Sequence, residues 1–329
     1  MPSLRDLTRK PELFTPGHRA CSGCGFPILV RLVLRAAEEP VVVSSATGCL
    51  EVTSTLFPYT SWRVPFIHTA FENAAATLSG VEAAYRSLRR QGRYGRDVRF
   101  IAFGGDGGTY DIGLQSLSGA MERGHRLLYI CYDNGAYANT GVQRSSATPR
   151  GANTTTSPAG RKVPGKTARR KDLTAMMAAQ GVPYVAQASI AHWNDLLTKV
   201  RKALSVDGPS FINAMAPCRL SWGIDPDNTV DLVRLAVDTC FWPLYEVEDG
   251  DWRLNYRPRE KKPYAEWLKV QTRFKHLFRP GQELAVADLQ AEVDRDWERL
   301  AARCGENVGP ARLAEEGAIE RERVTDPVG

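Results

Sequence analysis

The stretch from residue 97 to residue 113, DVRFIAFGGDGGTYDIG, decides most of what the sequence predicts about the fold. It begins with a short apolar run typical of a buried parallel strand and ends in a glycine-rich turn before a helical segment. Glycines there let the backbone approach a ligand closely, and the N-terminus of the following helix favours an anion such as a diphosphate. Asp106 lies between the glycines, where a single carboxylate can hold a divalent cation. On its own, the GDG sequence is also compatible with a simple turn.

Other apolar runs of the same form occur along the chain. They are PVVVSSA (40–46), RLLYICYDN (126–134) and PSFINAMAP (209–217). Segments of helical periodicity lie at about 26–37, 72–91, 111–123, 171–180 and 190–205. This alternation predicts an α/β fold with a doubly wound, mainly parallel sheet of the kind that binds ligands beyond the carboxyl ends of its strands. The loops after residues 45, 105, 133 and 216 are therefore the candidates for a site.

The composition narrows the function classes. The 329 residues are 43% hydrophobic, enough for a large core, and the net charge of +6 is too mild and dispersed to favour nucleic-acid binding. Without a signal-peptide pattern or a run of 18 apolar residues, we expect no membrane span and a cytoplasmic protein. The seven cysteines are spread along the chain, which favours a reducing compartment over a disulfide framework.

The composition changes beyond about residue 240, where Trp, Tyr, Pro and charged residues become frequent. We therefore expect a ligand-binding domain over 1–240 and a partly helical C-terminal extension over 241–329. An amphipathic run from 282 to 303 places apolar residues on one helical face: Leu284, Leu289, Val293, Trp297 and Leu300. Such a face is compatible with a helix packed on its own domain and with an arm that docks a partner subunit.

A second polar loop follows 28 residues after Asp106, where YDNGAYANTG (132–141) places Asn134 at the end of the next strand. Because parallel strands end at one edge of the sheet, Asn134 is expected to reach the same cation as Asp106. A GDG sequence followed at this distance by an asparagine-containing loop is the thiamine diphosphate motif. The stretches GDGGTYDIG and DNGAYANTGVQRSSATP resemble the β subunits of pyruvate:ferredoxin oxidoreductase and related 2-oxoacid:acceptor oxidoreductases, from about residue 15 to about residue 225.

Four cysteines accompany these loops. Cys21 and Cys24 form a CxxC pair, Cys49 follows the first buried strand, and Cys218 follows the last. Thiolates from one CxxC pair and two distant loops suit a [4Fe–4S] cluster. Zinc sites more often use two paired knuckles, and a thioredoxin-like disulfide would leave Cys49 and Cys218 without a role. The pattern alone leaves open a cluster, a zinc site and unrelated cysteines, whereas the resemblance assigns all four to the cluster nearest the thiamine.

The resemblance also implies roles for residues of the two polar loops. Asp106 and Asn134 would be side-chain ligands of Mg²⁺, and the backbone carbonyl of Ala136 would complete the protein ligands. Asn139 would lie near the reactive end of the cofactor and Thr140 near its diphosphate, and both are candidate catalytic residues. The remaining cofactor-binding positions are Gly48, Gly105 and Gly107.

The activity implied by the resemblance is that of a 2-oxoacid:acceptor oxidoreductase, which oxidatively decarboxylates a 2-oxo acid and forms an acyl-coenzyme A. The chain would be its β subunit. Its partners would be α-, γ- and δ-type subunits, with ferredoxin, flavodoxin or an NAD-linked subunit as electron acceptor. The glutamate that contacts the aminopyrimidine ring would come from another subunit, so Glu72 is interpreted as part of a packed helix. Pyruvate is the default substrate, although the small Ala138 would leave room for a larger acyl group.

Alternatives remain at this stage. The substrate class also includes 2-oxoglutarate, branched-chain and aryl 2-oxo acids, and oxalate. A non-redox thiamine enzyme with a structural zinc site is compatible with the same residues, as is a non-catalytic assembly module that keeps the fold. The basic segment GRKVPGKTARRK (160–171) is interpreted either as a solvated loop or as a surface that docks a partner subunit.

Overall fold

Eight strands form one sheet in the computed structural model, which describes residues 4–160 and 163–305. The strands are β1 (Val41–Ala46), β2 (Phe66–Thr69), β3 (Arg99–Gly105), β4 (Leu128–Asp133), β5 (Tyr184–Ser189), β6 (Ser210–Met215), β7 (Tyr245–Glu248) and β8 (Asp251–Leu254). Their order in the sheet is β2-β1-β3-β4-β6-β5-β7-β8. The first six strands pair in parallel, and β7 and β8 extend the sheet in the antiparallel sense.

Helices connect the strands and cover both faces of the sheet. The α-helices are α1 (Leu4–Thr8), α2 (Gly25–Ala36), α3 (Cys49–Ser54), α4 (Ala74–Arg90), α5 (Leu114–Glu122), α6 (Leu173–Ala179), α7 (Trp193–Ser205), α8 (Arg219–Trp222), α9 (Thr229–Asp238), α10 (Tyr264–Lys269) and α11 (Glu283–Arg303). A π-helix spans Gly107–Ile112, and 3-10 helices span Pro226–Asn228 and Thr272–Phe278. Within the described residues, no helix is both long and apolar enough to cross a membrane.

Alternate side chains of the central strands enter two separate cores, as a doubly wound sheet requires. In β3, Ile101 and Phe103 join the core under α2 and α7, whereas Phe100 and Ala102 join the core under α4 and α5. Burial on both faces explains why the predicted strands are continuous apolar runs instead of alternating ones. The predicted mainly parallel α/β fold is confirmed.

The strand order places the predicted site loops side by side. Strands β1, β3, β4 and β6 are consecutive neighbours in the sheet, and all four run in the same direction. Their carboxyl ends lead into Cys49, Asp106, Asn134 and Cys218, respectively. One edge of the sheet therefore carries both the thiamine motif and two of the four cysteines.

The region beyond residue 240 packs against the sheet. Tyr264 and Trp267 of α10 join the larger core, as do Leu289 and Val293 of α11. Leu284, which the helical pattern placed on the same face, is instead 86% exposed. These contacts favour the interpretation of α11 as a helix packed on its own chain. The boundary at residue 240 and a docking role stay predictions, and residues 306–329 lie outside the described residues.

Candidate functional site

Asp106 lies where β3 meets the π-helix, and its side chain is completely buried. Its Oδ1 accepts a hydrogen bond from the backbone N–H of Asn134 at 3.2 Å, and its Oδ2 accepts one from Ser145 Oγ at 2.5 Å. Burial, and then the nearby carboxylate of Asp133, raises the pKa of Asp106 to about 8. A bound divalent cation would offset the lost solvation and stabilise the ionised carboxylate.

Asn134 carries the second predicted ligand atom. Its side-chain Oδ1 is buried and has no hydrogen-bond partner in the described part of the chain. Its backbone carbonyl accepts a hydrogen bond from Trp222 Nε1 at 2.6 Å, which ties the residue to α8. An unpartnered buried amide oxygen is costly, and with the neighbouring carboxylate it forms the oxygen donor set that Mg²⁺ prefers. The residues present therefore fit this ion.

The turn after Asn134 orients the next residues toward the pocket. Gly135 adopts a φ of 71°, a conformation that favours glycine. Its N–H donates to Asp133 Oδ1 at 3.0 Å and its carbonyl accepts from Thr148 Oγ1 at 2.7 Å, so both of its backbone groups are fixed. Ala136, the predicted carbonyl ligand, follows this turn and is buried.

A pocket at this edge of the sheet brings the predicted cofactor-binding residues together. They are Gly48, Gly105, Gly107, Asn134, Ala136, Asn139 and Thr140, and only Asp106 is not part of the lining. The pocket wall needs glycine at position 107, because a Cβ there would lie 2.4 Å from the ring of Tyr137. The hydroxyl of Tyr132, another lining residue, is buried without a partner in the described chain. The pocket wall thus lets a ligand approach the backbone closely and offers it an unpaired hydroxyl group. Both features suit a cofactor that contains a diphosphate.

Asn139 and Thr140 lie at the exposed mouth of this pocket. The Thr140 hydroxyl donates to Gln143 Oε1 at 2.5 Å, and Gln143 Nε2 returns a hydrogen bond to the Thr140 carbonyl at 2.8 Å. Gln143 therefore orients Thr140, and the sequence motif did not identify this contact. The catalytic roles of Asn139 and Thr140 stay predictions.

The four predicted cluster cysteines converge beside the same pocket. Burial raises the pKa of Cys24 to about 12, and the thiols of Cys218, Cys49 and Cys21 raise it as well. Burial, Cys218, Cys21 and the Asp106 carboxyl raise the pKa of Cys49 to about 12. Cys49 itself lines the pocket. The four thiols therefore form one neighbourhood that includes a pocket wall.

Backbone hydrogen bonds hold the three cysteine segments together. The N–H of Gly25, next to Cys24, donates to the carbonyl of Pro217, next to Cys218, at 3.0 Å. The N–H of Arg19 donates to Thr53, on the helix that begins with Cys49, at 2.8 Å. Among the described residues, the cysteines form no disulfide bond. Among residues 4–160 and 163–305, no group of three or more His, Cys, Asp or Glu side chains is arranged closely enough to hold one metal ion.

Comparisons with known proteins place this geometry in a family. Residues 46–214 match the family described as thiamine pyrophosphate enzyme, C-terminal TPP binding domain. The pyruvate synthase subunit PorB of Methanocaldococcus jannaschii is 56% identical over 82% of this chain and 91% of its own. PorB of Thermotoga maritima is 52% identical over 90% of this chain and 93% of its own. The ketoisovalerate oxidoreductase subunit VorB of Pyrococcus abyssi is 42% identical over 88% of this chain and 92% of its own.

The chain belongs to the thiamine-binding β subunits of the 2-oxoacid oxidoreductases. The resemblance drawn from the GDG and Asn134 loops is thereby confirmed, as is thiamine diphosphate as the cofactor. Membership also identifies the chain as a subunit of an oxidoreductase and not as an assembly module without a cofactor.

In this β subunit, most of the basic segment 160–171 is exposed where the structure describes it, but Lys166 and Arg170 turn inward, which the sequence did not predict. Arg170 NH2 donates to Asp133 Oδ2 at 2.7 Å, and its guanidinium lies over the rings of Trp242 (4.6 Å) and Tyr110 (5.3 Å). Lys166 is 2% exposed. Arg170 therefore neutralises the carboxylate that precedes Asn134. No local sequence signal marked it, because an arginine in a polar run usually lies in solvent.

Proposed function

We propose that this β subunit works on pyruvate, so that one pyruvate and one coenzyme A yield acetyl-coenzyme A, CO₂, a proton and two electrons. The observation that carries the proposal is the pocket in which Cys49 shares a wall with the thiamine motif. A redox centre held by that cysteine would lie next to the reacting carbon. The names of the relatives at 52% and 56% identity support pyruvate as the substrate.

The cofactor set we propose is thiamine diphosphate, Mg²⁺ and one [4Fe–4S] cluster. The thiazolium ring supplies an electron sink that lets the substrate lose CO₂. Asp106, Asn134 and the Ala136 carbonyl would hold Mg²⁺, which the unpartnered Asn134 Oδ1 supports. Cys21, Cys24, Cys49 and Cys218 would hold the cluster, and their convergence from three backbone-linked segments supports this assignment.

The partners we propose are α-, γ- and δ-type subunits of the same enzyme, with ferredoxin, flavodoxin or an NAD-linked subunit as final acceptor. Exposed apolar side chains near the cysteines support such contacts. Phe57 is 98% and Tyr59 78% exposed in the loop after α3, and Leu220, two residues after Cys218, is 60% exposed. We also propose a cytoplasmic location, because seven cysteines spread along the chain suit a reducing compartment better than a disulfide framework.

The experiment begins with anaerobic purification of the chain together with its co-expressed partner subunits. Iron, acid-labile sulfide and zinc are measured, and the visible iron–sulfur band is followed after addition of pyruvate, 2-oxoisovalerate, 2-oxoglutarate or phenylglyoxylate. The proposal expects bleaching that requires thiamine diphosphate and is fastest with pyruvate. Asp106→Ala should abolish bleaching, whereas the exposed Asp97→Ala should not.

Each other outcome has a defined meaning. Zinc in place of iron would contradict the redox assignment and favour a non-redox thiamine enzyme. Fastest bleaching with 2-oxoisovalerate would keep the class but replace the substrate, in line with the relative at 42% identity. An iron-loaded, thiamine-loaded complex that no 2-oxo acid bleaches would refute the proposed function altogether.

A further inference from the structure

Arg273 is a buried cation that has no carboxylate partner among the described residues. It is 5% exposed and lies in the 3-10 helix Thr272–Phe278. Its Nε donates to Gln271 Oε1 at 2.9 Å, but its Nη2 is buried and has no partner in the described chain. The rings of Trp222, Phe274 and Trp267 surround the guanidinium carbon at 4.2, 5.1 and 5.5 Å. Aromatic faces offset only part of the cost of burying a charge, so an anionic partner is expected.

The contacts of Arg273 show where that partner must lie. Trp222, the nearest ring, belongs to the helix that begins directly after Cys218. A Cβ at Gly135 would lie 3.2 Å from Arg273 Nη1, so the guanidinium lies beside the turn that follows Asn134. Burial lowers the pKa of Arg273 to about 9, while Tyr264, Asp133, Cys218 and Asp106 raise it. Arg273 therefore lies close to the thiamine motif on one side and to Cys218 on the other.

Two of the neighbouring anions have other partners. Asp133 is paired with Arg170 at 2.7 Å, and Asp106 would be neutralised by Mg²⁺ under the proposed function. The anion that remains is the thiolate of Cys218, one of the four that would hold the cluster under the proposed function. A cluster bound by four thiolates carries a net negative charge and gains a further negative charge when it accepts an electron. A fixed cation nearby therefore stabilises the reduced form more than the oxidised form.

We propose that Arg273 is the buried counter-charge of the [4Fe–4S] cluster held by Cys21, Cys24, Cys49 and Cys218, and that it raises the reduction potential of that cluster. The inference rests on the proposed function, since it requires the cluster to be present. Arg273 is a tuning residue and touches neither substrate nor thiamine. Because the charge is buried, salt should screen its effect very little. A higher potential makes the cluster a better acceptor for the electrons that leave the substrate.

The test compares Arg273→Gln and Arg273→Lys in the anaerobically purified complex, with redox titrations followed by electron paramagnetic resonance. The signal of this cluster is identified by its loss in Cys218→Ser. In Arg273→Gln, we expect the ratio of reduced to oxidised cluster at a given potential to fall about tenfold, a midpoint ~59 mV lower. Arg273→Lys keeps the charge and should shift the ratio less than threefold. Lys275→Gln, which removes an exposed charge from the same helix, should leave the midpoint unchanged.

Iron and thiamine contents separate the outcomes. An unchanged midpoint in Arg273→Gln with full iron content would overturn the inference. So would a midpoint shift that disappears in high salt, or weakened thiamine diphosphate binding at an unchanged midpoint, which would make the diphosphate the partner of Arg273. If the glutamine variant does not retain the cluster, a tenfold fall in Arg273→Lys overturns the inference equally. Absence of iron from the wild-type complex would instead contradict the proposed function.

Discussion

Ionisable side chains buried near the cofactor pocket differ in how their charge is compensated. Asp133 is paired with Arg170, whereas the ammonium of Lys166 reaches only carbonyl oxygens. These belong to Thr148 at 2.5 Å, Ser146 at 3.2 Å and Arg169 at 3.5 Å. Burial lowers the pKa of Lys166 from 10.5 to about 8, and the nearby arginines lower it further. Lys166 thus links residues 146 and 148 to residue 169 within the polar loop 139–171, called the thiamine loop below. The free-energy cost of burying its ammonium depends on pH.

Lys166→Met should flatten the pH dependence of stability between about pH 8 and pH 10.5. In that range the folded chain has lost the Lys166 proton while the unfolded chain still binds it. Rising pH therefore stabilises the wild-type protein relative to the variant, by ~3 kcal/mol at most. Denaturant unfolding at several pH values measures the difference between the two. The exposed Lys275→Met is the control, and parallel pH profiles for wild type and Lys166→Met would refute the prediction.

Ala138 is a second residue whose effect can be measured directly. It lines the cofactor pocket, and its side chain is a single methyl group. Ala138→Leu should exclude branched acyl groups more than small ones, because added methylenes in a closed pocket discriminate by a factor of about 10–200. We expect the ratio of kcat/KM for pyruvate to that for 2-oxoisovalerate to rise about tenfold. The exposed Ala287→Leu is the control, and an unchanged ratio would show that Ala138 does not face the acyl group.

Sequence reasoning identified the residues that a local motif carries and missed those fixed by distant contacts. Asp106 follows the two glycines that end β3 and Asn134 follows the last residue of β4, so their positions at strand ends and their spacing predicted them. Arg170 meets Asp133 from 37 residues away, and Arg273 meets Trp222 across 51 residues. Nothing in a polar or basic segment distinguishes a buried arginine from a solvated one, since its burial depends on tertiary packing.

At the level of elements, long strands were predicted and short or polar ones were not. Strands β1, β3, β4 and β6 are apolar runs, and each was predicted. β2 has only four residues and an exposed His68, and β5 contains the buried polar residue Gln187. Since the apolar pattern was the only local signal for a strand, both β2 and β5 were missed. In the sheet, β2 is the outermost strand and pairs with β1.

The C-terminal helix α11 holds the thiamine loop through ion pairs. The Glu292 carboxylate forms ion pairs with two arginines, at 2.8 Å from Arg150 Nε and 3.3 Å from Arg169 Nε. Arg150 also pairs with Asp288 at 2.7 Å, and Arg169 with Asp296 at 2.6 Å. The loop segment 150–169 is therefore attached at both ends to one helix. Because networks of charges stabilise more than isolated surface pairs, the helix should restrain the opening of the loop.

Glu292→Gln should increase local opening of the thiamine loop without unfolding the sheet. The amides of Gly151, Lys166 and Lys171 form hydrogen bonds across this loop, and they report its opening. Loss of about 1 kcal/mol of ion pairing corresponds to about fivefold faster hydrogen exchange at these amides. Amides of β4 should not change. The matched control is Glu298→Gln on the exposed side of the same helix. Equal hydrogen exchange in both variants would show that the ion pairs of Glu292 do not restrain the loop.

At the scale of the whole molecule, the edge of the sheet that bears the site also bears apolar side chains that the described part of the chain leaves exposed. Phe57 and Tyr59 follow the helix of Cys49, and Leu220 lies in the helix after Cys218. Because aromatic residues are enriched at protein–protein interfaces, these side chains are candidates for contact with a partner subunit. Any partner bound there would contact the segments that follow Cys49 and Cys218.

Phe57→Ser combined with Tyr59→Ser should weaken assembly of the enzyme while this chain still folds. Both side chains are at least 78% exposed, so their replacement removes little internal packing. Buried at an interface, two aromatic side chains typically contribute several kcal/mol, so we expect at least a tenfold loss of partner affinity. Co-purification with tagged partner subunits and sedimentation velocity measure the loss. Tyr94→Ser is the control, since this partly exposed tyrosine precedes β3 at the opposite edge of the sheet. If the double variant assembles normally and Tyr94→Ser does not assemble, the prediction is wrong. The partner interface would then lie at the opposite edge of the sheet and not near the cysteines.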